Sequence, residues 1–123
     1  MLNSILWVLQ VFIAIIFVYS GVCKMLLPEE KLLVIGQTGV EGLSPSLITF
    51  IGIAEIAGAI GLIAPMVLQI ATWLTPVTAL CLALIMPFAA RIHYRRNEPG
   101  CVRNNAFLFL LCLFIACGRI FLN

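Results

Sequence analysis

One acidic residue, Glu55, lies inside the apolar, glycine-rich stretch FIGIAEIAGAIGLIAP (50–65), and it is a clear candidate for chemistry. On a helix Glu55 shares its face with Gly52 and Gly58. Small residues of this kind let helices approach closely in lipid. A carboxylate near the middle of a bilayer costs at least ~2.5 kcal/mol, so such residues usually pair inside the protein and often mark function. We therefore expect Glu55 to face a neighbouring helix, either protonated or ionised beside a cation.

Lys24 is the best candidate for that cation. It ends a heptad-spaced stripe on the first apolar segment, made of Asn3, Gln10, Phe17 and Lys24, with Ser20 one turn before its end. Polar residues at three of the four stripe positions indicate the inward face of the helix. At ~1.5 Å per residue, Glu55 lies about 12–14 Å from the start of its helix, within loose reach of a lysine near the membrane boundary. The alternative is that Lys24 extends to the lipid headgroups.

His93 stands in the basic segment AARIHYRR (89–96). It is either an interfacial residue among headgroup contacts or a proton-carrying or ligand-binding group at the mouth of a pocket. The sequence thus predicts a ligand or partner site, with no catalytic residue assigned, at Lys24, Glu55, His93, Gln10 and Ser20.

The five cysteines form no C-x-x-C pair and show no Cys/His metal spacing. We expect them to pack as small hydrophobic residues, and we predict no metal site. The sequence has no haem, flavin or iron–sulfur ligation pattern, so a redox role would need a partner that carries the cofactor. We expect no cofactor of the chain's own, and a quinone or a lipid is the ligand class left open.

The composition indicates the environment of these residues. The chain is 63% apolar and only 10% charged, too apolar to cover itself with polar surface in water. Segments of about 20 apolar residues predict membrane-spanning helices, here at about 3–27, 46–63, 66–90 and 104–122. We expect one domain over 1–123, an all-α integral membrane four-helix bundle, with a very short turn at Pro65. Its helices would pack through Gly21, Gly52, Gly58 and Gly61.

The connections predict the orientation of the bundle. The segment PEEKLLVI (28–35) is typical of a short interfacial helix that starts at Pro28. The first and third connections share one side and carry six of the seven Lys and Arg residues, whereas the other side has only Arg119. The positive-inside rule places the basic side in the cytoplasm and both termini outside. We expect the inner membrane of a bacterium. The net charge of +2 gives no indication of nucleic-acid binding.

Three segments in this order, FVYSGVCKMLLP, LITFIGIAEIAGAIGLIAP and PFAARIHYRRNEP, resemble the DoxX-like family of small four-helix membrane proteins. The resemblance rests on a G-x-x-K at the end of the first helix, a glutamate in a Gly-rich second helix that ends near a proline, and a histidine with basic residues after the third. In this chain these positions are Gly21, Lys24, Glu55, Gly58, Gly61, Pro65 and His93.

The resemblance implies two different classes of function. Members are linked to a thiosulfate:quinone oxidoreductase subunit and to membrane redox assemblies, and distant animal relatives are assembly chaperones for nicotinic receptors. We expect an accessory or binding protein whose polar interior engages a lipid-like or quinone-like molecule or a partner membrane protein. The first alternative is a membrane subunit of a quinone-linked oxidoreductase complex, and the second is an assembly chaperone. The expected partners are membrane lipid and either another membrane protein or a second copy of the chain.

Overall fold

The computed structural model describes residues 1–122, and within them the chain forms four long helices. These are α1 (Leu2–Leu26), α3 (Pro45–Leu68), α4 (Leu74–Arg95) and α5 (Pro99–Leu122). A short helix, α2 (Glu29–Val34), and a 3-10 turn (Thr38–Val40) lie between α1 and α3. Each long helix is long and apolar enough to cross a membrane. The prediction of an all-α four-helix membrane bundle is therefore confirmed.

The long helices run alternately up and down. α1 and α4 each pack against both α3 and α5, so the four helices enclose one core. Its fully buried side chains include Leu6, Ile13, Phe17, Leu62, Leu82 and Ile115. Large apolar residues also cover the outside, among them Val8, Phe50, Leu84 and Phe121. An outer surface of this kind suits contact with acyl chains, because lipid solvates apolar side chains as well as a protein core does.

The two ends of the bundle differ in charge. We call the end where α1 and α4 finish the basic end, because six basic residues lie there: Lys24, Lys31, Arg91, Arg95, Arg96 and Arg103. The opposite end, which we call the terminal end, carries the start of α1, the 69–73 turn and the end of α5. Arg119 lies near this terminal end.

α3 does not end at Pro65 as the sequence predicts, but continues to Leu68. The second and third spans are divided by residues 69–73 instead. Proline has no N–H, so Pro65 leaves the Gly61 carbonyl without its usual helical donor. The Thr75 hydroxyl donates to that carbonyl at 3.2 Å from the first turn of α4. A side chain of the next helix therefore replaces the missing bond, and the helix passes through the proline.

The connection between α1 and α3 (27–44) folds over the basic end. α2 begins directly after Pro28 with Glu29 and Glu30 in its first turn. Negative side chains are stabilising there because the N-terminus is the positive end of the helix dipole. The Glu29 carboxylate accepts a hydrogen bond from the Gly42 N–H at 2.7 Å, which ties the two ends of the connection together. A small apolar cluster of Leu32, Val40 and Ile48 anchors the connection to α3. This packing brings the 3-10 turn against α4.

Candidate functional site

Two glycines bring α1 and α3 close together. A Cβ atom on Gly21 would lie 2.6 Å from the Gly52 carbonyl oxygen, and one on Gly52 would lie 3.0 Å from the Lys24 Cβ. Only glycine allows this approach, which is the small-residue packing that membrane helices use. Gly58 and Gly61 face Leu82 and Thr78 of α4 in the same way. α3 therefore lies close to α1 near one end and to α4 near the other.

Lys24 and Glu55 form an ion pair across the α1–α3 contact. The Lys24 ammonium donates to Glu55 Oε1 at 2.7 Å and to the Ser20 hydroxyl at 2.8 Å. The Ser20 hydroxyl lies 3.1 and 3.2 Å from the two Glu55 oxygens. Glu55 is only 2% exposed, and Gly52 and Gly58 of its face are buried with it. The structure thus places Glu55 on the inward face, as its small neighbours indicate.

His93 belongs to a second polar cluster at the basic end. The Thr38 hydroxyl of the 3-10 turn donates to Glu98 Oε1 at 2.8 Å. His93 Nδ1 lies 3.1 Å from that hydroxyl and 2.9 Å from the same carboxylate oxygen. A Cβ atom on Gly39 would lie 3.0 Å from His93 Nε2, so glycine leaves room for the ring. His93 is buried within these contacts, with 7% of its surface exposed.

Glu98 sits in the short connection between α4 and α5 and is strongly favoured in its ionised form. Hydrogen bonds from His93, then from Thr38, with a smaller contribution from Arg96, lower the pKa of the Glu98 carboxyl to about 2. Arg96 Nε donates to Glu98 Oε2 at 3.3 Å, and Arg96 also pairs with Glu41. These bonds join the α1–α3 connection to the end of α4. The 3-10 turn is therefore held in place over the bundle.

One cavity of about 230 Å³ joins the two polar clusters. Ser20, Lys24 and Glu55 line one side of it, and Thr38 and His93 line another. Its remaining lining includes apolar side chains from α1, α4 and α5, namely Ile16, Phe17, Ile85, Met86 and Leu108. A cation, a carboxylate, an imidazole and hydroxyl groups therefore line one small cavity whose other walls are apolar.

Gln10 lies outside this cavity, in a separate network towards the terminal end. Its amide nitrogen donates to the Leu62 carbonyl, and its amide oxygen accepts from Arg119 Nε, each at 2.5 Å. Arg119 is 1% exposed, donates to Asn3 at 2.7 Å and lies over the Trp7 ring at 5.4 Å. Of the five residues predicted for one site, the structure brings four together, Ser20, Lys24, Glu55 and His93, and places Gln10 elsewhere.

Several residues of the cavity were missed by the sequence analysis. Gln37 and Thr38 come from an irregular connection with no periodic pattern, and Cys101 and Asn105 come from the first turns of α5. The sequence predicts no metal site, yet one potential ligand atom from each of His93, Glu98 and Cys101 lies within 4.8 Å of the other two. The sequence pattern of these residues, H-x4-E-x2-C, does not match a common metal-binding motif. The turn between α4 and α5 separates its members.

The family of the chain follows from a comparison with protein-family models. The model described as DoxX-like family matches residues 8–115, nearly the whole of the four-helix bundle. The chain belongs to the DoxX-like family. The match covers the Gly21 and Lys24 segment, the Glu55 helix and His93, so the residues on which the resemblance rests are all inside it. As a DoxX-like protein with four apolar helices of spanning length, it is an integral membrane protein.

The other comparisons add no relative. Neither the search of curated proteins nor the search of solved structures gives a significant match to this DoxX-like chain.

Proposed function

We propose that this protein is a membrane-embedded binding protein whose cavity at the basic end takes the polar head of an amphiphile, either lipid-like or quinone-like. The observation that carries the proposal is a cavity of about 230 Å³ in which two buried polar clusters converge between membrane-spanning helices. Charged residues inside a membrane protein are costly to keep, and they commonly mark a substrate or ligand pathway.

The Lys24 ammonium is suited to hold an oxygen of the ligand. An ammonium group has three donors, and two of them are used by Ser20 and Glu55. The third can donate to a carbonyl or phosphate oxygen in the cavity. Glu55 fixes the position of the amine through the 2.7 Å hydrogen bond. A phosphate oxygen of a lipid and a carbonyl oxygen of a quinone satisfy the same donor.

The apolar part of the cavity suits the body of the same molecule. Phe17 and Met86 lie beside the polar groups on its lining, and pockets for small molecules combine apolar walls with a few placed polar groups. The volume is below the range of roughly 300–1,000 Å³ typical for whole drug-sized ligands, so only a head fits. Tyr19 of α1 and Asn104 of α5 are exposed and also line the cavity. The tail would therefore leave between α1 and α5 into the lipid.

A second candidate function is supported by the His93 cluster. Reduction or oxidation of a quinone moves protons as well as electrons. A hydrogen-bonded group of side chains links the cavity to the connection at the basic end. It consists of Thr38, His93 and Glu98, with distances of 2.8 to 3.1 Å. Such a group suits proton exchange with the aqueous side. This favours the role of a membrane subunit in a quinone-linked oxidoreductase complex, in which a partner protein supplies the electrons.

The deciding experiment is extraction of bound molecules from the protein purified in mild detergent, followed by mass spectrometry. We expect one amphiphile class to be enriched over an unrelated membrane protein purified in the same way. Lipid phosphorus identifies a phospholipid, and a redox-sensitive ultraviolet spectrum identifies a quinone. Lys24→Met/Glu55→Leu should lower the retained amphiphile at least about tenfold, since a hydrogen bond to a charged group contributes roughly 1.5–3 kcal/mol.

The matched control is Lys31→Met/Glu30→Leu, which removes an exposed lysine and an exposed glutamate of α2. This control should retain the amphiphile at the wild-type level. Absence of any enriched amphiphile from the wild-type protein would contradict the proposal. Capture of a stoichiometric membrane-protein partner in its place would favour the accessory or chaperone roles.

A further inference from the structure

We propose that His93, Glu98 and Cys101 form a binding site for a borderline transition-metal ion, Zn²⁺ in the first place, in the wall of the cavity. This inference goes beyond the proposed function and holds whether or not the cavity takes an amphiphile. It rests on the position of the three side chains, each of which offers a ligand atom within 4.8 Å of the other two.

The size of the cluster fits a metal ion after a small adjustment. Zn²⁺ binds nitrogen and oxygen ligands at about 2.0–2.2 Å and sulfur at about 2.3 Å, so tetrahedral ligands stand roughly 3.3–3.8 Å apart. His93 Nδ1 and Glu98 Oε1 are already 2.9 Å apart. Glu98 belongs to the short connection before α5, and Cys101 to the first turn of that helix. In the proposed site, rotation of these two side chains would bring the ligand atoms to zinc-binding distances.

The donor set selects the class of metal. An imidazole, a carboxylate and a thiolate are typical ligands of zinc and its neighbours, whereas Mg²⁺ and Ca²⁺ prefer oxygen alone. On binding, the Cys101 thiol gives up its proton to water and joins the Glu98 carboxylate as a second negative charge. Their sum balances the charge of the ion, and His93 binds as the neutral ring. A site without net charge is compatible with a position at the membrane boundary.

A fourth coordination position of the proposed site would face the cavity. Three protein ligands with one open position are typical of zinc sites that bind water or a further ligand. His93 and Cys101 both line the cavity. Asn105, one turn after Cys101 on the same face of α5, lines it as well. Its amide nitrogen is buried and, among residues 1–122, has no hydrogen-bond partner. In the proposed site that amide would donate to a ligand bound in the fourth position.

The neighbouring bonds would hold the ligands in place. Arg96 binds the second oxygen of Glu98, which leaves Oε1 directed at His93. The Thr38 hydroxyl donates to Glu98 Oε1, and a carboxylate oxygen can accept this bond and still bind a metal ion. Partners of this kind orient metal ligands, and their loss typically weakens metal binding about 10–100-fold. Thr38 is thus a positioning residue for the proposed site.

Titration with Co²⁺ of the detergent-purified protein, stripped of metal with a chelator, tests the proposal. Co²⁺ takes the place of Zn²⁺ and gives a thiolate charge-transfer band and visible bands that report tetrahedral geometry. Two variants form the matched pair: one in which every cysteine except Cys101 is replaced by serine, and one in which Cys101 alone is replaced. We expect one Co²⁺ per chain and the thiolate band in the first variant. Zn²⁺ should displace the Co²⁺.

In Cys101→Ser the thiolate band should vanish and the Co²⁺ dissociation constant should rise at least about tenfold, with folding checked by helix content and size-exclusion profile. His93→Gln should lose the tetrahedral bands. Cys117→Ser, which removes an exposed cysteine further along α5, should behave as the wild type. Absence of a thiolate band in the variant that keeps Cys101, or its persistence in Cys101→Ser, would overturn the proposal.

Discussion

Gly21 of α1 and Gly52 of α3 meet backbone to backbone. A Cβ atom on Gly21 would lie 2.6 Å from the Gly52 carbonyl oxygen, and one on Gly52 would lie 2.8 Å from the Gly21 carbonyl oxygen. Lys24 follows Gly21 by three residues and Glu55 follows Gly52 by three. Residues three apart lie on one helix face. Because α1 and α3 run in opposite directions, these steps carry the two residues about 9 Å apart along the bundle axis, and the extended Lys24 side chain reaches back to Glu55 Oε1 at 2.7 Å. The glycine contact brings the two helix faces close enough for this pair to form, and it connects helix packing with the polar site.

Substitution of either glycine should disturb both the packing of α1 against α3 and the polar site beside it. Gly52→Ala would force backbone atoms apart, so we expect the free energy of unfolding to fall by about 1–3 kcal/mol. Thermal unfolding in detergent measures this. Gly100→Ala is the matched control, because the nearest atom to its added Cβ is 3.8 Å away, and its effect should be neutral or slightly stabilising. Equal effects of the two substitutions would contradict the close contact described for Gly52.

The pairing of Thr75 with the carbonyl freed by Pro65 gives a second prediction. Thr75→Val should lower the free energy of unfolding by about 1–3 kcal/mol, because the Gly61 carbonyl loses its donor in an apolar interior. Pro65→Ala restores a helical N–H to the same carbonyl. Thr75→Val should therefore cost less in a Pro65→Ala background than in the wild type. An identical cost in both backgrounds would show that the hydroxyl does not serve the proline.

Gln10 should matter for folding and not for the cavity. Gln10→Leu removes an acceptor from the buried Arg119 and a donor to the Leu62 carbonyl, so we expect the free energy of unfolding to fall by about 1–3 kcal/mol. The amount of amphiphile per folded chain should stay at the wild-type level, as measured by extraction and mass spectrometry. A folded Gln10→Leu protein without the amphiphile would place Gln10 back in the ligand site.

The orientation of the bundle can be tested with single cysteines placed at its two ends. In a background without native cysteines, Lys31→Cys marks the basic end and Ile70→Cys the terminal end, and both positions are exposed. The positive-inside rule predicts that a membrane-impermeant maleimide labels Ile70→Cys in intact cells and labels Lys31→Cys only after the membrane is opened. The reverse pattern would invert the topology.

The sequence predicts the helices and the inward position of Glu55 well, for a physical reason. Spanning helices need long apolar runs, and a stripe of small residues around one acid repeats with the helical period. Lys24 could be named as its partner because the heptad-spaced polar stripe marks one face of α1. The prediction of a turn at Pro65 was wrong. The hydrogen bond that replaces the one lost at the proline comes from Thr75, which belongs to the next helix.

The rest of the site depends on contacts that leave no periodic pattern in the sequence. Thr38 and His93 are 55 residues apart, and they meet because an irregular connection folds over the bundle. Glu98 and Cys101 join them across a sharp turn, so no sequence motif predicts this cluster of side chains. Arg119 reads as an isolated charge near one end of the chain. It is buried because Gln10 and Asn3 provide acceptors from α1.

The measurement that tests the account most directly is a double-mutant cycle on Lys24 and Glu55, followed by thermal unfolding in detergent. Lys24→Met and Glu55→Leu should each lower the free energy of unfolding by about 3–5 kcal/mol, because each leaves a buried charge without its partner. The double mutant should be close to the wild type in stability, yet retain at least about tenfold less amphiphile. Additive effects of the single substitutions, with coupling below about 0.5 kcal/mol, would contradict the pair and the binding site built on it.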